Sequence, residues 1–275
     1  AYVDAINFNG TAISATAAEL NLLDGVTALA SSVNGLSDGL VEDNSMYIGN
    51  DPSGTTSTAQ YNLAVGTTAL DAVTTGDKNT AIGQDALTAN TSGNRNTASG
   101  YQALASNTTG HQNTANGYVA LYSNTTGVYN QASGVEALYA NTTGSYNTAN
   151  GYVALKLNTT GARNTGTGYQ AAYATTDGND NTSIGYEAGN VITTGSQNVT
   201  IGSGSDPSAV DGTNQIVIGY GATGHGDNIA VIGNGSLTAI HPHDDGEVDL
   251  GSSSYEFKDL YVDGTAYVDA INFNG

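Results

Sequence analysis

Gly100-Tyr-Gln-Ala-Leu-Ala-Ser-Asn-Thr-Thr-Gly110-His-Gln-Asn-Thr-Ala-Asn116 is followed at once by Gly117-Tyr118, and the same pattern, GYxALxxNTTGxxNTAx, recurs along most of the chain. Glycine falls at 49, 66, 83, 100, 117, 134, 151, 168, 185, 202 and 219, each step 17 residues. A second series runs 76, 93, 110, 127, 144, 161, 178, 195 and 212 with the same step. A fixed period of this kind decides architecture before any local signal does. Seventeen residues are too few for a helix pair, whereas two short strands and two turns fill them, which predicts one solenoid coil per unit. Glycine enters positive φ without steric cost, so both series read as tight turns. Eleven coils at the strand spacing would make a rod of roughly 50 Å.

In-register stacking turns each recurring residue into a column. Asn79, Asn96, Asn113, Asn130, Asn147, Asn164, Asn181 and Asn198 form one, suited to an amide ladder. Ala86, Ala103, Ala120, Ala137, Ala154, Ala171 and Ala188 form another, and Leu87, Leu104, Leu121, Leu138 and Leu155 lie one residue later. On a strand, adjacent residues point to opposite faces, so an inward Ala column predicts an outward Leu stripe. A stripe of that size needs cover, and three rods around an axis would supply it, with Leu104, Leu121, Leu138 and nearby Tyr on the three-fold. The competing arrangement is a bend that places Leu inside its own coil.

Outward from the repeat, composition agrees. The 275 residues are 38% hydrophobic, with three Phe and no Trp, which leaves material only for a thin interior. Twenty-five acids against five Lys and Arg give a net charge of −20, which argues against a nucleic-acid partner. Without cysteine there is no disulfide or thiolate metal site. No apolar run approaches the roughly 18 residues of a membrane helix, so a membrane partner is not expected. The sequence opens at Ala1 without a Met, which reads as a processed or partial chain.

The units Asn-Thr-Ala-Ile-Gly83, Asn-Thr-Ser-Ile-Gly185, Asn-Val-Thr-Ile-Gly202 and Ile-Val-Ile-Gly219 resemble the coils of trimeric autotransporter adhesin heads. That resemblance, over residues 47 to 233, implies a left-handed parallel β-roll assembled as a trimer; those coils are usually shorter, and the spacing here falls to 14 between Gly219 and Gly233. Ala-Thr-Ala-Ala-Glu19-Leu-Asn-Leu-Leu-Asp-Gly25 and Asp249-Leu-Gly-Ser-Ser-Ser-Tyr-Glu-Phe-Lys-Asp-Leu-Tyr-Val-Asp263 are similar to segments of phage tail fibres and related virion proteins. The C-terminal chaperone often found in such proteins has no counterpart in these residues. The expected layout is therefore an all-β chain in three parts. Residues 1–45 are a strand, a short helix capped by Thr16 and Glu19, and a neck; residues 46–235 are the parallel β-solenoid shaft; residues 236–275 are a β-hairpin junction.

The function this implies is structural: a shaft segment of an extracellular homotrimeric fibre on a virion or cell surface, supporting attachment to a host-surface receptor. A bacterial adhesin or extracellular filament is the near alternative. No nucleophile, base and acid can be assembled from four His, no Cys and turn-bound Ser, so no enzyme is expected. Polysaccharide depolymerases do sit on phage β-solenoids, but a glycosidase pair needs two carboxylates across a cleft, and none is nominated. Ice binding is a further alternative through Thr80, Thr97, Thr114, Thr148, Thr165 and Thr182, a column broken by Gln131 and Val199.

The metal candidate is His241-Pro-His243: three chains would gather six imidazoles, resembling the iron-binding HxH motif of phage fibre needles. Asp244, Asp245 and Glu247 offer the hard oxygen ligands calcium takes, without the EF-hand or glycine-aspartate nonapeptide pattern. Asn-Thr-Thr sequons at 107, 124, 141 and 158 read as repeat turns rather than glycan acceptors. Finally, residues 1–10, Ala-Tyr-Val-Asp-Ala-Ile-Asn-Phe-Asn-Gly, recur unchanged at 266–275. Each copy ends in an Asn-Gly hairpin signal, which reads as tandem copies of one unit within a longer fibre.

Overall fold

The computed structural model describes residues 6–8, 11–13, 39–42, 44–49, 56–240, 250, 252, 254–263 and 265. The chain divides into a unit spanning Ala1–Gly235 and a second, Ser236–Gly275. At the start of the first, β1 (Ile6–Phe8) pairs antiparallel with β2 (Thr11–Ile13), Phe8 opposite Thr11. Two residues, Asn9 and Gly10, separate the paired ends, the loop length such a dipeptide favours. Thr11–Ile13 is thus strand, and the helix expected around Thr16 and Glu19 lies outside the described residues.

The solenoid is one thirteen-stranded sheet. It opens with β3 (Gly39–Glu42), antiparallel to β4 (Ser45–Ile48), and every later pairing is parallel. The rest are β5 (Leu63–Val65), β6 (Thr80–Ile82), β7 (Thr97–Ser99), β8 (Thr114–Asn116), β9 (Gln131–Ser133), β10 (Thr148–Asn150), β11 (Thr165–Thr167), β12 (Thr182–Ile184), β13 (Val199–Ile201), β14 (Ile216–Ile218) and β15 (Ala230–Ile232). Registers run Thr80 to Thr97 to Thr114 without slip, so the chain is a parallel β-solenoid of 17-residue coils, closing with a 14-residue step from Ile216 to Ala230.

Each regular coil carries one three-residue strand, not two. The Ala-Leu segment is a chain of turns, because Asp85 and Leu87 both sit in the left-handed region (φ 57° and 53°), as do their counterparts Gln102, Leu104, Glu136 and Leu138. Strand alternation requires extended backbone; with left-handed residues on either side of Ala86, Ala86 and Leu87 both turn inward. Leu87, Leu104, Leu121, Leu138 and Leu155 are all fully buried within their own coils. The outward Leu stripe is therefore corrected, and with it the placing of Leu104, Leu121 and Leu138 on a three-fold axis.

The interior is half apolar and half amide. Ala81, Ala98, Ala115, Ala132 and Ala149, the central strand residues, meet the Leu and Ala columns there. Packing is conserved by compensation toward the C-terminal end. As Leu155 gives way to Ala172 and then Gly189, Asn158 gives way to Thr175 and then buried Ile192, whose Cδ1 lies 3.1 Å from where a Gly189 Cβ would stand.

The predicted Asn column is present, but its bonding is mixed. Asn96 Oδ1 accepts the backbone N–H of Asn113 at 3.0 Å, and Asn96 Nδ2 donates to the Gly110 carbonyl at 2.9 Å. The true amide-to-amide ladder is a second column that sequence reading missed. Asn107 donates to Asn90 at 2.8 Å, Asn124 to Asn107 at 2.8 Å and Asn141 to Asn124 at 2.7 Å. These are the sequon asparagines, wholly buried, with both amide hydrogens engaged: Asn107 Nδ2 also donates to Gly110 O at 3.0 Å.

The two glycine series have different causes. Gly134 has φ +140°, and a Cβ there would stand 2.3 Å from the Gly151 oxygen. Gly110 needs no unusual φ; it is glycine because a Cβ would stand 2.3 Å from Asn107 Oδ1 and 2.5 Å from Gly127 O.

The second unit, taken by itself, has a tight turn in which Ser252 and Tyr255 exchange backbone hydrogen bonds of 3.0 and 3.2 Å. Leu250, Phe257, Leu260 and Tyr261 are exposed along it.

Candidate functional surfaces

With the interior filled by ladders, function falls to the outer faces. From β5 onward the strands present their first and third residues outward. From β7 to β11 this surface is uncharged and polar: Thr97 and Ser99, Thr114 and Asn116, Gln131 and Ser133, Thr148 and Asn150, Thr165 and Thr167. The Thr column of the ice-binding alternative lies here, but the column beside it holds Ser or Asn, and Thr-x-Thr occurs within this stretch only on β11. From β12 onward the face turns apolar. Ile184, Ile201, Ile218 and Ile232 stand in one register line, with Val199 and Ile216 beside them, and Ile216 and the four in line are exposed.

Tyrosine makes a second kind of surface. Tyr101 stacks on Tyr118 at 5.3 Å, Tyr152 on Tyr169 at 5.4 Å, and Tyr169 on Tyr186 at 4.9 Å. On other columns Tyr122 stacks on Tyr139 at 5.3 Å and Tyr129 on Tyr146 at 4.9 Å. One coil of rise brings like residues into ring-stacking range, each pair contributing about 0.5–1.5 kcal/mol beyond its buried area.

Charges are mostly bound to one another or to backbone. Lys156 Nζ lies 2.5 Å from Glu136 and 5.9 Å from the Tyr139 ring centre. The hydrogen bond that Lys156 donates to the Glu136 carboxylate raises the Lys156 pKa above its ordinary value. Arg163 holds Asp180 in a two-point fork at 2.6 and 2.8 Å, which lowers the Asp180 pKa and raises that of Arg163. Asp85 accepts from Thr68 and from Gln102, and Asp77 accepts the Gln60 N–H at 2.8 Å. Asp206 is partly buried: burial pushes its pKa up, against backbone hydrogen bonds from Val191 and Asn190, and its Oδ1 is buried without a partner.

Among the described residues, two concavities stand out. One, about 190 Å³, is lined by Asp77, Lys78, Asn94 and Arg95. The other, about 450 Å³ near the last coil, is lined by His225, Val231, Ile232, Asn234 and neighbouring glycines. His241 and His243 lie outside the described residues, as do Asp244, Asp245 and Glu247. Among the described residues no three His, Cys, Asp or Glu converge as metal ligands, and no helix is long and apolar enough to cross a membrane. Compared with known proteins, the chain matches no family model and no curated protein.

Proposed function

We propose that this chain is a length of shaft in an extracellular homotrimeric fibre of the phage-tail-fibre or surface-adhesin kind, holding an attachment element away from its base. The observation that carries the reading is the sheet's unbroken parallel register from β4 to β15, with an interior filled mainly by Leu, Ala and Asn columns. Such a body resists bending and spends its residues on length rather than on a cleft.

Assembly as a homotrimer rests on surfaces other than the one first expected. The exposed Ile face of β12–β15 is both apolar and free of charge, on a chain whose net charge is −20, so like chains gain by covering it and meet little repulsion there. Leu250, Phe257, Leu260 and Tyr261 of the second unit are equally uncovered in a single chain. The occupant of both is a second and third copy.

Light scattering in solution tests this directly, with an expected mass three times the 27.7 kDa of one chain and a rod in negative-stain images. Replacing Ile201 and Ile218 with Ser should shift the mass toward one chain while leaving the circular dichroism of the solenoid in place. A wild-type protein that stays monomeric at micromolar concentration sinks the trimer, and a compact, non-elongated particle sinks the shaft.

A further inference from the structure

The tyrosine ladders hold paired phenols in an arrangement with its own chemistry. Tyr129 and Tyr146 lie with ring centres 4.9 Å apart and planes 8° from parallel; Tyr169 and Tyr186 repeat this at 4.9 Å and 7°. All four rings are between 40% and 57% exposed, so a diffusing oxidant can reach them and each ring has room to swing. The side chains that otherwise take up oxidising equivalents are scarce: the chain has no Cys, no Trp and one Met, against 17 Tyr. Tyr186 also hydrogen-bonds the Glu187 carboxylate, which raises its pKa and stands ready to receive the phenol proton.

We propose that Tyr129 with Tyr146, and Tyr169 with Tyr186, are sites of oxidative coupling that bridge successive coils as dityrosine. A one-electron oxidant, such as a peroxidase acting with peroxide, acts twice. Each ring gives up one electron and its phenol proton, to Glu187 in the case of Tyr186 and to water for the others. The two phenoxyl radicals then combine through a new bond between ring carbons ortho to the oxygens. The two ortho hydrogens return to the oxygens as protons exchange with water, restoring both phenols. The net loss is two electrons and two protons per bridge, both electrons going to the oxidant.

Stacking selects this outcome over the alternatives. The second radical forms within contact of the first, where an intramolecular partner far outcompetes one arriving by diffusion. Chains of other assemblies, arriving by diffusion, are held off by the −20 net charge. The product adds a covalent rung to a stack otherwise held by hydrogen bonds, so exposure to oxidant stiffens the coil array.

The test treats the full chain with peroxidase and peroxide. Expected are the blue emission of dityrosine, an intact mass lower by two hydrogens per bridge, migration as a single chain under denaturing conditions, and cross-linked peptides joining Tyr129 to Tyr146 and Tyr169 to Tyr186. The double variant Tyr129→Phe, Tyr169→Phe keeps the rings and removes one phenol per pair. It should lose both cross-linked peptides and at least half of the emission, with unchanged circular dichroism. The chain unfolded in urea should give at least fivefold less intrachain product. Bridges mainly between chains, equal yield from the unfolded chain, full emission from the double variant, or Met46 sulfoxide and ring hydroxylation as the main products would each overturn the proposal.

Discussion

A left-handed backbone conformation costs an ordinary residue roughly 1–2 kcal/mol, yet this solenoid places columns of ordinary residues there. One runs Lys78, Arg95, Gln112, Tyr129, Tyr146 and Arg163; another runs Gln102, Val119, Glu136, Val153, Gln170 and Glu187, then passes to Gly204 and Gly221. The glycines at the end of the second column mark what the position asks for. Gln170→Gly should therefore be neutral or stabilise by up to about 1 kcal/mol, because relief of the left-handed strain offsets the added freedom of the unfolded chain. Ordinary element-interior positions lose stability on the same change, and a loss above about 1 kcal/mol in urea melts would contradict the account. Gly134→Ala moves the other way. Its Cβ would press on the Gly151 backbone at a φ that only glycine holds without strain, so a loss of roughly 2–4 kcal/mol is expected in the same melts. A change of under 1 kcal/mol would mean that the coils can part locally.

At the scale of the coil, what matters is that every rung bonds to its neighbours one period away. Thr114 pairs with Gln131 as Thr97 pairs with Thr114. Excising residues 114–130 joins Asn113 to Gln131 and should leave a folded, cooperative solenoid one coil shorter. Excising 115–130, one residue fewer, throws every column beyond the cut out of line and should abolish cooperative melting by circular dichroism. Similar melting of the two deletions would refute in-register stacking as the source of stability.

Much of this was legible in the sequence, since spacing alone gave the coil, the parallel register and the first Asn column. What sequence could not show was backbone sign. Leu104 and Ala103 read as strand neighbours with opposite faces, and nothing in either residue type signals φ near +54° at Gln102 and Leu104. The second Asn column was visible as Asn107, Asn124, Asn141 and Asn158, but its amide ladder needed a buried position, and a turn motif does not announce burial. The apolar change at Ile184, Ile201 and Ile218 was present in the quoted units and went unread as a surface. The candidate metal residues His241 and His243 stand as the sequence left them.

For the molecule as a whole, charge opposes compaction, and the direction of its pH dependence follows. Burial raises the folded-state pKa of Asp206, so the fold binds that proton more tightly than the unfolded chain does. Its contribution improves as pH falls through the raised value and worsens as pH rises through it. Protonating other acids relieves the −20 self-repulsion in the same direction. Asp180 acts oppositely: its pKa is lowered by Arg163, so what it contributes is present above the ordinary carboxylate range and lost below it. Thermal melts at low salt should therefore show stability rising from neutral to mildly acidic pH and falling again in strong acid. A steady decline on acidification from neutrality would contradict this. The in-register sheet carries a last consequence, for heredity. Because coils close on one another at a fixed 17-residue period, a genetic change that adds or removes one whole period keeps every column in line. The length of such a solenoid can thus change in steps of one coil with each intermediate still stacked in register.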